Sequence, residues 1–378
     1  VIRVGLNRSV FSVLLILLIF VSSGCERADL MSAEVLEKPT DIETATTEIT
    51  QTEKASSETI SEPVLVQDPV EEIVIGDNKP VLNHGRLKLK GQQIVDQSGE
   101  PVQLRGVSTH GIQWFPEYVS LDAFRTMRDD WHINVVRLAM YTDPNVGYDE
   151  KLHALVEKGV AYAIELDLYV IIDWHILSDG DPNLSKDRAT AFFDTMSKKY
   201  KDNPNVLYEI CNEPNGDVTW ANAIKPYAES LINVIRKNDE KALIIVGTPT
   251  WSQDVDIVAN DPIENQENIL YTLHFYAASH KDGLREKLSK ALTLGLPVIV
   301  SEFGISDAFG NGEIAPEQGE IWLDFLESHG IGYVAWNLSN KEETTALIRS
   351  DVKDVSDWND SDLTPWGLWF VNRMRERE

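Results

Sequence analysis

The chain has 378 residues, with 61 acidic against 34 basic side chains and a formal charge of −27. Such a chain offers no basic face to a nucleic-acid backbone, and the charge reads as solubility and self-repulsion. The two cysteines, Cys25 and Cys211, make neither a disulfide framework nor a zinc pattern, and no calcium-loop spacing stands out, so no metal or cofactor is expected.

In chain order, Arg3 and Arg8 precede the apolar run from Val10 to Val21. That run is short for a bilayer span and suits a signal-peptide core. It leads into Ser22-Ser23-Gly24-Cys25, which resembles a bacterial lipoprotein cleavage box except that Ser22 stands where leucine is usual. Residues 1–24 are therefore expected to be a signal peptide and Cys25 a lipidated anchor, several acyl chains on one cysteine holding the protein at a cell surface or outer membrane. Plain secretion and an uncleaved anchor are the alternatives. From residue 25 to Pro80 the composition turns to Glu, Thr, Ser and Pro; after Cys25 it carries fourteen acidic and four basic side chains and no aromatic residue. Too little apolar surface is available there to offset chain entropy, and the segment reads as an extended acidic tether.

Residues 81–378 read as one folded domain. Leu87-Lys-Leu-Lys-Gly91 and Gln93-Ile-Val-Asp96, with the turn at Gln97-Ser98-Gly99, predict a small β-hairpin. Eight apolar strand-like runs follow: Val102–Val107, Ile133–Met140, Tyr169–His175, Val206–Glu213, Leu243–Thr248, Ile269–Tyr276, Pro297–Gly304 and Gly332–Ser339. Helical patterns separate them at Leu121–Trp131, Tyr148–Leu166, Lys186–Tyr200, Trp220–Lys237, Leu284–Leu294 and Glu317–His329. This alternation predicts an α/β fold, a (β/α)8 TIM barrel preceded by the hairpin. An open doubly wound sheet would want a glycine-rich phosphate turn after its first strand, and there is none.

Polar groups gather at the strand ends: Arg137, His175, Asn212 with Glu213, His274 with Tyr276, Glu302, and Trp336 with Asn337. In a barrel these ends converge on one face. Val206 to Pro214 is the clearest case, an apolar run stopped by Asn212-Glu213-Pro214, proline being unable to continue a ladder. Two carboxyls delivered this way suit glycosidic-bond hydrolysis, in which one protonates the leaving oxygen and the other opposes the anomeric carbon. A separation of about 5–5.5 Å would make the second a nucleophile with retention, and about 6.5–9.5 Å would imply inversion.

The motifs are Ser108 to Trp114, Arg137 to Tyr141, Ile172-Asp-Trp-His-Ile-Leu-Ser178, Tyr208-Glu-Ile-Cys-Asn-Glu-Pro-Asn215, His274-Phe-Tyr276, Ser301-Glu-Phe-Gly304 and Trp336 through Glu343. From about Asn83 to Arg377 the chain thereby resembles glycoside hydrolase family 5, and within it the bacterial endo-β-1,4-glucanases, or cellulases. The resemblance implies retention, with Glu213 as acid/base and Glu302 as nucleophile. It also implies that Asn212 holds the sugar 2-hydroxyl and Tyr276 hydrogen-bonds the nucleophile. His175 and His274 would line the cleft, Arg137 would support the nucleophile electrostatically, and Lys341 and Glu343 would bind sugar. The family usually reads Ser-Glu-Trp-Gly where this chain has Phe303, which keeps an aromatic ring without its N–H.

On physical grounds Arg137 beside Glu302 should keep that carboxylate ionised, and Glu213 should need a raised pKa to carry its proton. Trp114, Trp251 and Trp336 follow the first, fifth and eighth strands, where their flat faces could pave a sugar groove, with His110 and Tyr141 adding hydrogen bonds. Trp131, Trp322, Trp366 and Trp369 sit in helical or closing segments and read as packing. Cys211 reads as a small buried apolar residue rather than a reactive thiol. The expectation is a monomeric hydrolase of β-glucan. Its alternatives are another β-glycanase (mannanase, xyloglucanase or mixed-linkage glucanase) and a surface lipoprotein that binds glycan without cleaving it.

Overall fold

The computed structural model describes residues 78–376; the expected signal peptide, Cys25 and nearly all of the acidic tether lie outside them. A five-residue helix, Pro80–His84, comes first, with Pro80 and Val81 buried, so Pro80 is packed rather than part of the tether. The hairpin strands β1 (Lys88–Lys90) and β2 (Gln93–Val95) pair antiparallel, Leu89 opposite Ile94. They are joined at Gly91-Gln92, where Gly91 takes φ 65°, one turn earlier than the expected Gln97-Ser98-Gly99. The latter is a second turn, built on Asp96 Oδ1, which accepts from the backbone N–H of Ser98, Gly99 and Glu100 at 2.8–3.0 Å.

Eight parallel strands then close into the expected barrel. They are β3 (Arg105–Thr109), β4 (Val135–Tyr141), β5 (Tyr169–His175), β6 (Val206–Glu209), β7 (Ile244–Val246), β8 (Ile269–Tyr276), β9 (Val298–Gly304) and β10 (Tyr333–Leu338). Helices such as Leu152–Glu165, Lys186–Tyr200 and Pro316–Ser328 cover the outside. A final helix, Pro365–Arg375, begins on a Thr364 cap whose side chain accepts from Gly367 N.

Strand alternation explains how the core and the site share one barrel. In β5, Val170, Ile172 and Trp174 join the large apolar layer under the helices. The intervening Tyr169 and Ile171 belong to a separate apolar cluster inside the barrel, together with Leu207, Ile245, Leu270 and Ile299. Val81, Leu87 and Ile94 from the N-terminal helix and hairpin close that cluster. Further along the same inward row the residues become Asp173 and His175. Strands such as β5 thus begin as apolar filling and end as polar equipment.

Strand β9 departs from even alternation. Against β8, Thr272 pairs with Ile299 but His274 pairs with Glu302, so β9 carries one extra residue there. This bulge lets Ser301 and Glu302 both reach partners inside the barrel while Phe303 turns outward.

Candidate active site

Glu213 stands beyond the end of β6 rather than on it. The expected strand to Glu213 stops at Glu209, because the chain leaves regular pairing to bond both neighbours: Ile210 N to Ile245 O at 3.0 Å, then Glu213 N to Ile176 O at 3.1 Å. It also crosses Gly247 so closely that a Cβ there would lie 2.3 Å from Cys211 O. Glu302 comes from β9, opposite. One carboxylate oxygen of each, with one His274 ring nitrogen, lie within 4.8 Å of one another. Oxygens this close fit the shorter separation of a retaining pair, about 5–5.5 Å, rather than the about 6.5–9.5 Å of an inverting one. Both acids are recessed, Glu213 7% and Glu302 4% exposed, in a cleft of about 490 Å³.

The environments of the two acids differ. Glu302 Oε1 accepts from Tyr276 Oη at 2.7 Å and Oε2 from Arg137 Nη1 at 3.2 Å. Glu213 Oε1 lies 2.9 Å from His274 Nδ1. Burial pushes Glu213 up to about 8, with Arg137 opposing and Asp173 and Glu209 adding to the rise. Glu302 is also raised, by burial and then by the charge of Glu213, against His274 and Arg137. Arg137 therefore does not pull Glu302 below its ordinary value; it offsets part of the desolvation. The proton of the pair resides on Glu213, because Glu302 has two donors fixed on its oxygens.

Arg137 lies within β4, wholly buried in the barrel, rather than at its tip. It donates to Glu209 through Nε at 2.7 Å and Nη2 at 3.1 Å, to Asn212 Oδ1 at 2.5 Å and to Ser108 Oγ at 3.3 Å, and pairs with Asp173 at 3.0 Å. Although burial works against its charge, Asp173, Glu209 and Glu302 together hold its pKa above the ordinary value. Asn212 turns its amide nitrogen to Ile176 O at 3.1 Å and to His175 Nε2 at 3.2 Å.

Three partners were not singled out from the sequence: Asp173, Glu209 and Ser301. Each is a polar residue inside an apolar strand, at an inward position two to four residues before a tip already suspected or directly beside one. That alternation was the available signal. Burial raises Asp173 to about 7 despite Arg137, and its Oδ2 lies 2.6 Å from His175 Nδ1. Burial lowers His175 to about 3 and His274 to about 4, so both rings are neutral near pH 7.

Ser301 orients His274. Its hydroxyl donates to Glu209 Oε1 at 2.7 Å and lies 3.0 Å from His274 Nε2 and 2.6 Å from Thr272 Oγ1. With its one proton committed to Glu209, Ser301 accepts from His274, which puts the imidazole proton on Nε2. Nδ1 is then an acceptor, and the atom facing it must be the protonated oxygen of Glu213. Glu213, His274 and Glu302 could in principle cradle a cation. Their donors are instead taken by one another, by Tyr276 and by the Arg137 guanidinium, an arrangement suited to proton transfer.

The cleft walls gather most of the expected binding residues. His110, Tyr141, Trp251, Trp336, Lys341 and Glu343 line it with His175, His274 and Tyr276. Trp336 lies nearly flush with the floor, its ring stacked on His175 at 5.2 Å, and it joins Asn337 by a cis peptide. Trp114 stands one ring behind the lining, 4.7 Å from Tyr141 and 42% exposed. Lys341 pairs with Glu343 at 2.6 Å, and Glu343 accepts from Asn337 Nδ2 at 3.0 Å. Against burial, these bonds hold Glu343 below its ordinary pKa, while burial lowers His110 to about 3. Cys211 is buried among apolar neighbours, which pushes its thiol well above the ordinary value and leaves it inert. Trp131, Trp322 and Trp366 are core residues and Trp369 packs on that core.

The sequence profile described as Cellulase (glycosyl hydrolase family 5) matches residues 95–342. Endoglucanase A of Butyrivibrio fibrisolvens is 44% identical over 318 residues, covering 82% of this chain and 73% of that protein. An endoglucanase of Clostridium saccharobutylicum is 46% identical over 291 residues; the match covers 76% of this chain and 64% of that relative's length. Among solved structures, the catalytic domain of Thermobifida fusca endoglucanase Cel5A is 37% identical with a TM-score of 0.74, covering 79% of this chain and 99% of that one. A variant of that domain has been solved with cellotetraose, again at 37% identity, with a TM-score of 0.72, covering 79% of this chain and 99% of that one.

Proposed function

The chain belongs to glycosyl hydrolase family 5, and from that membership we propose that it cleaves internal β-1,4-glucosidic bonds by double displacement with retention of configuration. It is a glycoside hydrolase. The observation that carries the retaining reading is the gap of at most 4.8 Å between oxygens of Glu213 and Glu302.

In the first step a Glu302 oxygen attacks the anomeric carbon as the bond to the leaving oxygen breaks, and Glu213 gives that oxygen its proton. A glycosyl ester on Glu302 and an ionised Glu213 result. In the second step Glu213 takes a proton from water, the water oxygen bonds to the anomeric carbon, and Glu302 departs as carboxylate. Arg137 and Tyr276 hold the attacking carboxylate in place and receive it again on departure. Asn212, whose amide lies beside His175, is assigned to the 2-hydroxyl of the attacked sugar. Trp336 is the floor on which that sugar lies. Lys341, Glu343, His110 and Tyr141 are assigned to neighbouring hydroxyls, and Trp114 and Trp251 to flanking sugar faces. Names of similar proteins point to cellulose-type chains: endoglucanase in each case, with cellotetraose bound to one.

Proton NMR of the first product formed from a cello-oligosaccharide tests the mechanism. The β-anomer is expected first, and initial α-anomer would overturn retention. Product profiles on soluble cellulose, glucomannan and mixed-linkage glucan test the substrate, and no turnover of any β-1,4-glucan would refute the glucanase reading. We also propose that the domain is held at a membrane through a lipid on Cys25, with the acidic segment as its tether. The support for this is the charged, apolar and cysteine pattern of residues 3–25.

A further inference from the structure

One aromatic side chain beside the cleft has no role in the reaction derived above. Phe309 lines the cleft next to Ala308 and Gly310, yet its side chain is 91% exposed. Leaving a phenyl ring in water forgoes the stabilisation that burial would supply. The loop bearing it is nevertheless firmly built. Asp307 Oδ1 accepts from the N–H of Phe309 at 2.9 Å and of Asn311 at 3.0 Å. Asp307 N donates to Asn311 O at 3.0 Å and Gly310 N to Asp307 O at 3.1 Å. Gly310 and Gly312 take φ 81° and 77°, turns that a side chain would oppose. Ala308 N donates to Ser279 Oγ at 3.0 Å and Thr345 N to Gly310 O at 3.1 Å, tying the loop to those after β8 and β10. The ring is therefore presented to solvent by a braced support.

The surroundings say what it is presented to. Three aromatic residues stand among the exposed large apolar side chains of the described residues: Trp114, Trp251 and Phe309. All three stand at the barrel mouth. The Phe309 loop also separates the cleft from a second cavity of about 810 Å³, into which Asn311 and Gly312 face on its other side. Lys341 and Glu343 line both spaces. A chain leaving the cleft over this loop would pass across the Phe309 ring.

We propose that Phe309 is the platform of a distal glucose subsite. It stacks on a sugar ring beyond those held at the scissile bond, where a β-glucan chain crosses the loop from the cleft toward the neighbouring cavity. The proposal rests on the glucanase reading and deepens it, since an apolar ring edge to edge with solvent suits the C–H face of a pyranose. A subsite far from the bond broken adds binding to substrate and transition state alike, so it lowers KM on long chains and leaves kcat nearly alone.

The test compares wild type, Phe309→Ala and Phe309→Trp on cellohexaose and on a chromogenic aryl cellobioside too short to reach the loop. For Phe309→Ala, KM on cellohexaose is expected to rise about 5- to 10-fold, as one aromatic stacking contact gives, with kcat changing less than about two-fold. The loss on the aryl cellobioside should be far smaller, and Phe309→Trp should restore the long-chain KM. Cleavage positions on end-labelled cellohexaose should also shift in Phe309→Ala. An equal change on both substrates, or none on either, would overturn the proposal. So would a change in oligomeric state in place of the kinetic split, since the ring would then face a second copy. A wild-type enzyme that cleaves neither substrate would instead refute the glucanase reading itself, so the two failures are distinguishable.

Discussion

His274 touches Glu213 on one side and Ser301 on the other, and the direction of that relay decides where the acid's proton rests. Ser301→Ala removes the acceptor for Nε2–H and frees His274 to donate from Nδ1 instead, which favours ionised Glu213. The basic limb of the kcat/KM profile, set in wild type by Glu213 at about 8, is expected to move down by up to about one pH unit, the worth of one net hydrogen bond. An unmoved limb would refute the tautomer assignment. Glu213→Gln should lower kcat about 10²–10⁴-fold on natural glucans and lose much less on aryl glycosides whose leaving group needs no proton. Glu302→Gln should abolish turnover while oligosaccharide binding, read by calorimetry, survives. At this scale the two acids and both histidines were legible because polar residues ending apolar runs are conspicuous, whereas Arg137, expected at a strand end, lies inside β4. Glu209, Asp173 and Ser301 were not, since a polar residue buried inside a strand shows its purpose only once its partners from other strands are in place.

The elements were legible in kind and order, with Tyr169–His175, Ile269–Tyr276 and Lys186–Tyr200 matching to the residue. Their ends were less so, because β6 and β7 stop early where the chain turns to serve the site. The loop after β7 was opaque. Thr250, Trp251 and Ser252 take φ 58°, 54° and 53° in succession, a left-handed run costing roughly 1–2 kcal/mol per residue that no propensity would suggest. It is held by Trp251 N to Pro214 O at 3.1 Å and Ser252 Oγ to Asn212 O at 2.6 Å. Trp251 is thereby locked to the segment that carries Glu213. Phe303 supports the opposite wall. Its ring packs on Phe275 at 5.2 Å and meets Trp366 at 5.5 Å, filling the space between β9 and the final helix. Phe303→Ala should cost about 3–5 kcal/mol in denaturant unfolding, and a cost under 1 kcal/mol would mean that this wall does not depend on the ring.

Across the whole molecule, burying Asp173 inside the barrel and Glu213 and Glu302 in the cleft links stability to pH. Asp173 is raised to about 7 and Glu213 to about 8, so between their ordinary values near 4 and these values the folded chain binds more protons than the unfolded one. The contribution of these two carboxyls is therefore full below about pH 4 and is lost as pH rises toward 8. The depressed values of His110, His175 and His274 act in the opposite sense and cost stability as pH falls below about 6.5. Glu213→Gln should melt a few degrees higher than wild type at pH 9 and no higher at pH 4, and equal melting at both would contradict the burial argument. The N-terminal expectation is a property of the full chain. Cells expressing it with a fatty-acid analogue should label the wild type and not Cys25→Ser, and a labelled, membrane-bound Cys25→Ser protein would end that proposal.

The extra residue in β9 sets two demands against each other. An in-frame loss of a single codon between Val300 and Phe303 would return the ladder to even pairing with β8, and such a protein should assemble its barrel without difficulty. It would also have exchanged the position of its nucleophile for a neighbour's. A screen for correctly folded deletion variants would keep this change, and a screen for clearing zones on glucan plates would discard it.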